Sequence, residues 1–528
     1  MSMTKKQLFL IIGVLVAVLA YGSSGFPGVY YVPGSTQKMC QLTGDFDKDV
    51  RFNKPTNNQT NVRYGVKGTD VGVSFEHTLQ DGTKRLYFLF GDTDSDKPGL
   101  TDGWHDCIAY TTEMTAPSDC IDLTFIAKNG VFIPLVVPNA SLGPRGAPDA
   151  GLSHNGWMYI YFTTDLTLTS VLAKCQDDNL NFQNVYELST NKFINVSVEV
   201  VEQGTDYNGF RQWLPSDLQN KPVLLIWGTS KDYRKSGVYL ACQPLTDIEN
   251  KSTIRYYKGP GQGWSQNESD AQPLFKQTAY YYDQYGNKTG EGPGVGELSV
   301  AWNAFLNKWI MLYNFGNPSR GINFRVADYP WGPWSGKEIN NDILFRPGRD
   351  YGYCYSMHKK DCPVAGSGCD QNYDAWRDGG CGWGGEYGPY MINRYTEGGV
   401  QDQEKWTTIY FTMSTWNPYQ KVLMKTTLST SLPGDVYPKD TLTAPCGDGV
   451  IDIYDILAGV DFILNIQTPT DCQAAKGDVP NGIPPYCGNP PGTPNCEADG
   501  DIDIFDVLVW IDAALGKPNC IAYCVEHP

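Results

Sequence analysis

The sequence predicts a mainly all-β fold, a five-bladed β-propeller, followed by a small α-helical module of calcium-loop-like repeats. Three observations carry that expectation. A phrase of strand, turn, strand, turn and strand recurs five times between residues 64 and 427. Aromatic residues make up 13% of the chain and Gly contributes 56 positions, a composition suited to short strands joined by tight turns. Beyond residue 430 the texture changes, and a ten-residue motif recurs at an offset of 51.

The chain opens on Lys5-Lys6 and an apolar run from Leu8 to Tyr21, with small residues Ala20 and Gly22 at plausible cleavage positions. That pattern reads as a secretory signal over residues 1–22, because about fourteen apolar residues fall short of the roughly 20 that span a bilayer. The propeller is then expected over 23–430 and the tail module over 431–528. A secreted, extracellular or cell-surface location agrees with 15 cysteines, none of them in the C-x2-C pairs of zinc ribbons or redox sites. Nine precede residue 430, including Cys354, Cys362, Cys369 and Cys381, and they leave one unpaired, for which Cys40 is the candidate. Sequons at Asn58, Asn139, Asn195, Asn250, Asn267 and Asn287 mark surface loops if glycosylated. A net charge of −17 excludes a nucleic-acid partner, and no second apolar run predicts a stable membrane span.

Five apolar-aromatic runs have strand length: Leu86–Phe90, Met158–Phe162, Val223–Trp227, Trp309–Tyr313 and Thr408–Thr412. Gly-containing segments precede three of them across short polar turns, and a further strand-like run follows most. Successive runs lie 65 to 99 residues apart, room for a four-stranded blade each. A β-sandwich is the alternative, and it leaves the recurring phrase unexplained.

In the tail, Asp448-Gly-Val-Ile-Asp-Ile-Tyr-Asp455 matches Asp499-Gly-Asp-Ile-Asp-Ile-Phe-Asp506. Each copy leads into an amphipathic segment, with Ile453, Ile456, Leu457, Val460 and Leu464 on one apolar face and Ile504, Val507, Leu508, Ile511 and Leu515 on the other. Asp448, Asp452 and Asp455, like Asp499, Asp503 and Asp506, fit positions 5, 9 and 12 of a calcium loop, while Asp435 and Asp478 stand upstream as candidate first ligands. Residues 431–520 resemble type I dockerin modules, which implies calcium as cofactor and a cohesin-like or cell-surface protein as partner. A disulfide-stapled helical pair whose aspartates cap helices is the bland reading.

Acidic residues recur where an innermost strand begins: Asp70 before Val-Gly-Val, Asp149 before Ala-Gly-Leu, Glu297 before Leu-Ser-Val and Glu386 before Tyr-Gly-Pro-Tyr. In a closed ring these strands start at one mouth. Like charges converging there cannot all ionise, and a split of protonation states is what glycoside hydrolysis requires. Gly-x-Ser-x-Gly, Walker and His-Glu-x-x-His patterns are all missing, which disfavours serine-hydrolase, nucleotidase and zinc-protease chemistry.

The phrases Gly68-Thr-Asp-Val-Gly-Val-Ser-Phe75, Leu86-Tyr-Phe-Leu-Phe-Gly-Asp-Thr93, Trp157-Met-Tyr-Ile-Tyr-Phe162, Trp227-Gly-Thr-Ser with Arg234, and Tyr387-Gly-Pro-Tyr-Met391 resemble the domain-of-unknown-function 4185 family over about residues 62–428. That resemblance implies a five-bladed propeller, some of whose members are classed as glycoside hydrolase family 183, endo-acting on D-arabinan. The arrangement also looks like family 43 and sialidase-like propellers. The function expected is therefore a secreted glycoside hydrolase acting on a polysaccharide, an arabinan-like furanoside among the candidates, by carboxylate acid/base catalysis. Asp70 is the expected general base and Glu297 the general acid. Asp149 tunes its neighbours or holds a hydroxyl, and Asp92 is a candidate for any of these roles. Trp104, His154, Arg234, Trp302 and Glu386 are the expected sugar contacts. Two other readings compete: a non-catalytic carbohydrate-binding or adhesive propeller, and a surface-layer or filament subunit that retains its N-terminal apolar run.

Overall fold

The computed structural model describes residues 29–335 apart from 33–34, 48, 50–51, 53, 177, 283–287 and 317–320, then 343–345, and 385–430 apart from 402–403 and 417–418. In the tail it describes 451, 453–464, 466–469, 473, 477–479, 482–483, 486–487, 502, 504–514 and 520. The expected signal segment, the cysteine group from Cys354 to Cys381, Asn287, and Asp435, Asp448, Asp452, Asp499 and Asp503 lie outside the described residues. The chain divides into two compact units, one comprising Thr36–Glu397 with Thr408–Thr426, the other Met1–Ser35, Gly398–Thr407 and Thr427–Pro528.

Five antiparallel sheets form the propeller. Blade one runs through Gly68–Thr78, Lys84–Asp94, His105–Thr111 and Thr124–Phe125, and blade two through Ala147–His154, Trp157–Thr164, Thr169–Cys175 and Gln183–Ser189. Blade three takes Asn195–Val201, Val223–Thr229, Tyr239–Pro244, Arg255–Tyr257 and Trp264–Ser265; blade four takes Val295–Asn303, Lys308–Phe315, Ile322–Ala327 and Ile343–Phe345. Blade five joins Gly385–Met391, Glu404–Trp416 and Gln420–Ser429 to Gln37–Gln41 from the other end of the chain. The five expected apolar runs are the second strands of these sheets, one per blade. Inner strands of neighbouring blades touch all the way round, the fifth against the first, so the ring is closed.

Alternation along each strand supplies two apolar faces per blade, and these interlock with the next blade. Val71, Phe75 and Leu89 of blade one pack against Ile160 and Phe162 of blade two, while Leu225 and Trp227 of blade three pack with Val300, Trp309 and Met311 of blade four. At about 1.5–3 kcal/mol for each large apolar side chain buried, these seams dominate the stability of the ring. Closure is completed by Gln37–Gln41, paired from Gln37 opposite Lys425 to Gln41 opposite Val422 with a register shift between Lys38 and Cys40.

The cysteines correct one expectation. Cys40 is paired, with Cys120, and that bond ties the closing strand of blade five to blade one. Cys107, Cys175 and Cys242 form no disulfide and are buried inside sheets as small apolar side chains. Two sequons also fail as surface loops. The Asn58 side chain is buried, donates to Leu42 O and Ile121 O and accepts from Leu123 N; Asn195 is buried too. Asn139, Asn250 and Asn267 are exposed.

In the tail, helices Ile453–Ile463 and Ile504–Ala514 pack on each other around buried Ile456, Val507 and Trp510. The apolar faces are narrower than expected, because Leu457, Leu464 and Leu508 are exposed.

Candidate active site

At the end of the ring where the inner strands begin, Asp70, Asp92, Asp149 and Glu297 line one small pocket with a cavity volume of about 60 Å³. Val71, Arg145, Ala147, Thr167, Asn195, Tyr233, Tyr387, Gly388 and Tyr390 complete its wall. The convergence has a local cause. Four of the five inner strands lose regular register at their first residues: at Gly68/Asp70 and Val71/Val73, at Pro148/Ala150, at Val295/Leu298 and at Tyr387/Tyr390. Such bulges bend a strand and re-aim the side chain they release, here Asp149, Glu297 and the Asp70 loop. Val71 pays conformationally, holding φ at +64°, a strained value for a β-branched residue and a common mark of functional sites. Only blade three keeps unbroken register from Asn195 to Val201, and it contributes an amide in place of a carboxylate.

The four carboxyl groups are held in different charge states. Glu297 is buried, which would raise its pKa, but the Arg234 guanidinium reverses this and holds it below the ordinary range. Arg234 grips it bidentately, Nε to Oε2 at 3.2 Å and Nη2 to Oε1 at 2.9 Å, and the Tyr233 hydroxyl donates to Oε1 at 2.9 Å. The guanidinium itself lies between the rings of Tyr233 and Tyr387, 4.7 Å from each centroid.

Asp149 is pushed the other way. Burial raises its pKa to about 8 although Thr163 Oγ1 donates to Oδ2 and Asn195 Nδ2 to Oδ1 at 2.9 Å. Burial likewise raises Asp92 to about 8, with the neighbouring Asp70 charge adding to it, and raises Asp70 to about 6 against the hydrogen bond from Tyr387 at 3.0 Å. Asp70 Oδ1 and Asp92 Oδ1 are both buried without a hydrogen-bond partner. Behind them Asp106 is fully buried; its Oδ1 accepts from Asp92 N at 3.2 Å, Oδ2 has no partner, and burial beside Asp92 raises its pKa strongly. In blade one Asp92 and Asp106 thus hold protons at neutral pH and Asp70, near 6, is the more easily ionised, while in blade four Glu297 holds a charge.

These charge states run opposite to those that the expected roles require. Glu297, expected to be the acid, is the carboxylate least able to carry a proton at neutral pH, because Arg234 pairs with it. The sugar contacts are also redistributed. Arg234 serves Glu297 and does not line the pocket. Glu386 is buried beside it, with its neighbours Tyr387 and Gly388 in the wall. Trp104 is exposed at the same end of blade one but outside the wall. His154 and Trp302 stand at the far ends of their inner strands, where Trp302 stacks on Tyr207 with centroids 4.4 Å apart. Asn195, Tyr233, Tyr390 and Asp106 were missed as site residues, Asn195 because its sequon invited a glycan reading.

With fold and site in place, comparison with known proteins becomes informative. The profile of the family described as "Domain of unknown function (DUF4185)" matches residues 55–425. The chain belongs to that family. Among solved structures, an endo-arabinase from Bacteroides thetaiotaomicron is 10% identical, covering 67% of this chain and 93% of its own, with a TM-score of 0.34. The native arabinanase of Bacillus subtilis is 12% identical, covering 68% and 95%, with a TM-score of 0.30. An N-acetylgalactosamine deacetylase from F. plautii, solved with blood group B trisaccharide, is 9% identical, covering 76% and 95%, with a TM-score of 0.34. No curated protein matches the sequence.

Proposed function

We propose that this DUF4185 member is a secreted glycoside hydrolase that cleaves a polysaccharide, with an arabinan-like furanoside as the first substrate to try. The observation that carries the reading is the split of charge across the pocket. Hydrolysis of a glycosidic bond needs a proton for the leaving oxygen and, facing it, a carboxylate that activates water or stabilises the cationic transition state. Asp92, raised to about 8 beside Asp70, supplies the proton from blade one; Glu297, kept ionised by Arg234, is the facing base or stabiliser. Asp149, both of whose oxygens are hydrogen-bonded, stays neutral and limits the negative charge of the site. The Cys40–Cys120 bond fits an oxidising, extracytoplasmic location.

Hydrolysis of a panel of furanose and pyranose polysaccharides tests the reading. Wild type should release reducing ends from at least one, and Glu297→Gln and Asp92→Asn should each lose about 10²–10⁴-fold. Binding without cleavage across the panel would instead mark a carbohydrate-binding propeller.

For the tail, the reading extends to calcium and a docking partner. Val479 N donates to Asp506 Oδ1 at 2.8 Å, which sets the Gly477-Asp478-Val479 turn against the position-12 aspartate of the second repeat. Asp455 and Asp506 are buried and are hard oxygen donors of the kind calcium takes, although no group of three metal-holding side chains occurs among the described residues, and the other expected ligands except Asp478 lie outside them. Tyr454 and Leu457 in one repeat, and their counterparts Phe505 and Leu508 in the other, are exposed and form a duplicated apolar pair suited to a cohesin-like or cell-surface protein. A rise in the melting temperature of the tail on adding calcium is the expected result; identical melts with and without it would contradict the assignment.

A further inference from the structure

Lys421 is fully buried on the third strand of blade five, a place where a charged side chain needs a reason. Its Nζ donates to Gly388 O and to Ser414 Oγ, both at 3.0 Å, and lies 5.4 Å from the centre of the Tyr390 ring. Ser414 Oγ in turn accepts from Val71 N at 3.1 Å. The lysine stem passes beneath Gly72, where an added Cβ would come within 2.5 Å of Lys421 Cε and where φ is +84°. Thr412 Oγ1 donates to Gly72 O at 2.8 Å on the same side.

One ammonium therefore joins two irregular segments on different blades. Gly388 sits in the bulge between Tyr387 and Tyr390, and Val71 and Gly72 form the bulge that follows Asp70. Gly72 and Gly388 are skipped in the registers of their strands, and a side chain from the third strand of blade five reaches both. We propose that Lys421 is a positioning residue for the pocket, bridging the blade-one and blade-five bulges through Ser414 and Gly388 so that Asp70 and Tyr387 face one site. The catalytic part of this inference rests on the hydrolase reading; the bridging does not.

The titratable groups acting on the ammonium are Asp70 from blade one, Glu297 from blade four and Tyr390 from blade five. Burial pulls the Lys421 pKa well below its ordinary value while Asp70 and Glu297 push it back up, and its charge in return favours ionised Asp70. Replacing it with a neutral side chain of similar length should leave Asp70 protonated to higher pH. The folded state would then keep a proton that the unfolded chain has lost over a wider window, so stability should go on falling with pH beyond the wild-type range.

The test compares Lys421→Met, Lys421→Arg and Ser414→Ala in the full chain. Melting temperature is followed from pH 4 to 9 without ligand, and the pH profile of polysaccharide hydrolysis is recorded in parallel. Lys421→Met should extend the alkaline decline in melting temperature by about one pH unit and move both limbs of the activity profile upward by a similar amount. Lys421→Arg should keep the wild-type shape in both. Ser414→Ala, which keeps the charge and removes the link to Val71, should lower kcat several-fold with little change in KM and no pH shift. If no polysaccharide is cleaved by any form, the hydrolase reading falls, and the ligand-free melting curves still decide the role of Lys421. A uniform offset of the Lys421→Met curve, parallel to wild type at every pH, would make the residue merely structural and overturn the proposal. Should Lys421→Met not fold, an unchanged kcat in Ser414→Ala overturns it as well.

Discussion

Blade one's inner strand is broken twice near its start, around Asp70 and after Val71, whereas blade three's runs in regular register from Asn195 to Val201. Both reach the same pocket. The broken strand delivers a carboxyl group on strained backbone; the regular one delivers an amide that acts on a neighbour, donating from Asn195 to Asp149. The contrast teaches that the carboxyl groups of this pocket come from irregular backbone and have partners elsewhere, Tyr387 for Asp70 and Arg234 for Glu297.

The sharpest way to break that division is to remove a support. Arg234→Met leaves Glu297 buried and unpaired, so it should cost about 3–5 kcal/mol, lower the melting temperature and abolish any hydrolysis. A variant as stable as wild type would show that Glu297 does not depend on the pair. A smaller effect is expected at Gly72, where Gly72→Ala adds a methyl group against Lys421 on left-handed backbone. It should cost about 1–3 kcal/mol in a denaturant midpoint, while Gly82→Ala, also at positive φ but with open space around it, should cost less.

Asp92→Asn sharpens the electrostatic half. The folded pKa of Asp92, about 8, lies above its ordinary 3.8, so native protein retains a proton that unfolded chain loses between those values, and stability falls as pH rises through that window. Asn removes this term. The variant should match wild type near pH 4 and gain relative stability toward pH 8, by up to about 1.4 kcal/mol for each pH unit of the shift. A constant difference across the range would contradict it. Smallest is Asn195→Ala in blade three. Losing the amide that supports the Asp149 carboxyl should cost about 1–2 kcal/mol and leave the Asp70–Asp92 pair untouched, visible as a lower melting temperature with an unshifted activity profile.

Much of the ring was legible because each second strand is an unbroken apolar-aromatic run, and because acids stand just before the inner strands of blades one, two and four. The inner strand of blade three escaped notice: Asn195-Val-Ser-Val-Glu-Val-Val201 has alternation but no acid or glycine phrase at its start. Which carboxyl carries the proton was not legible at all. Arg234 lies 63 positions before Glu297, on a loop of another blade, and nothing in either segment announces the pairing. Lys421 is harder still, since in Gln-Lys-Val-Leu-Met-Lys it reads as an ordinary outward charge and only the glycine at position 72, 349 residues earlier, makes room for it.

The central claim is that Asp92 of blade one and Glu297 of blade four hold opposite charge states at neutral pH. Carbon-13 carboxyl titration by NMR measures this directly, with Asp70→Asn, Asp92→Asn, Asp149→Asn and Glu297→Gln used to assign the resonances. The account predicts Glu297 ionised throughout the neutral range, Asp70 titrating near 6, and Asp92 and Asp149 near 8. Four carboxyl groups that all ionise near pH 4, or a Glu297 that is protonated at pH 7, would contradict it.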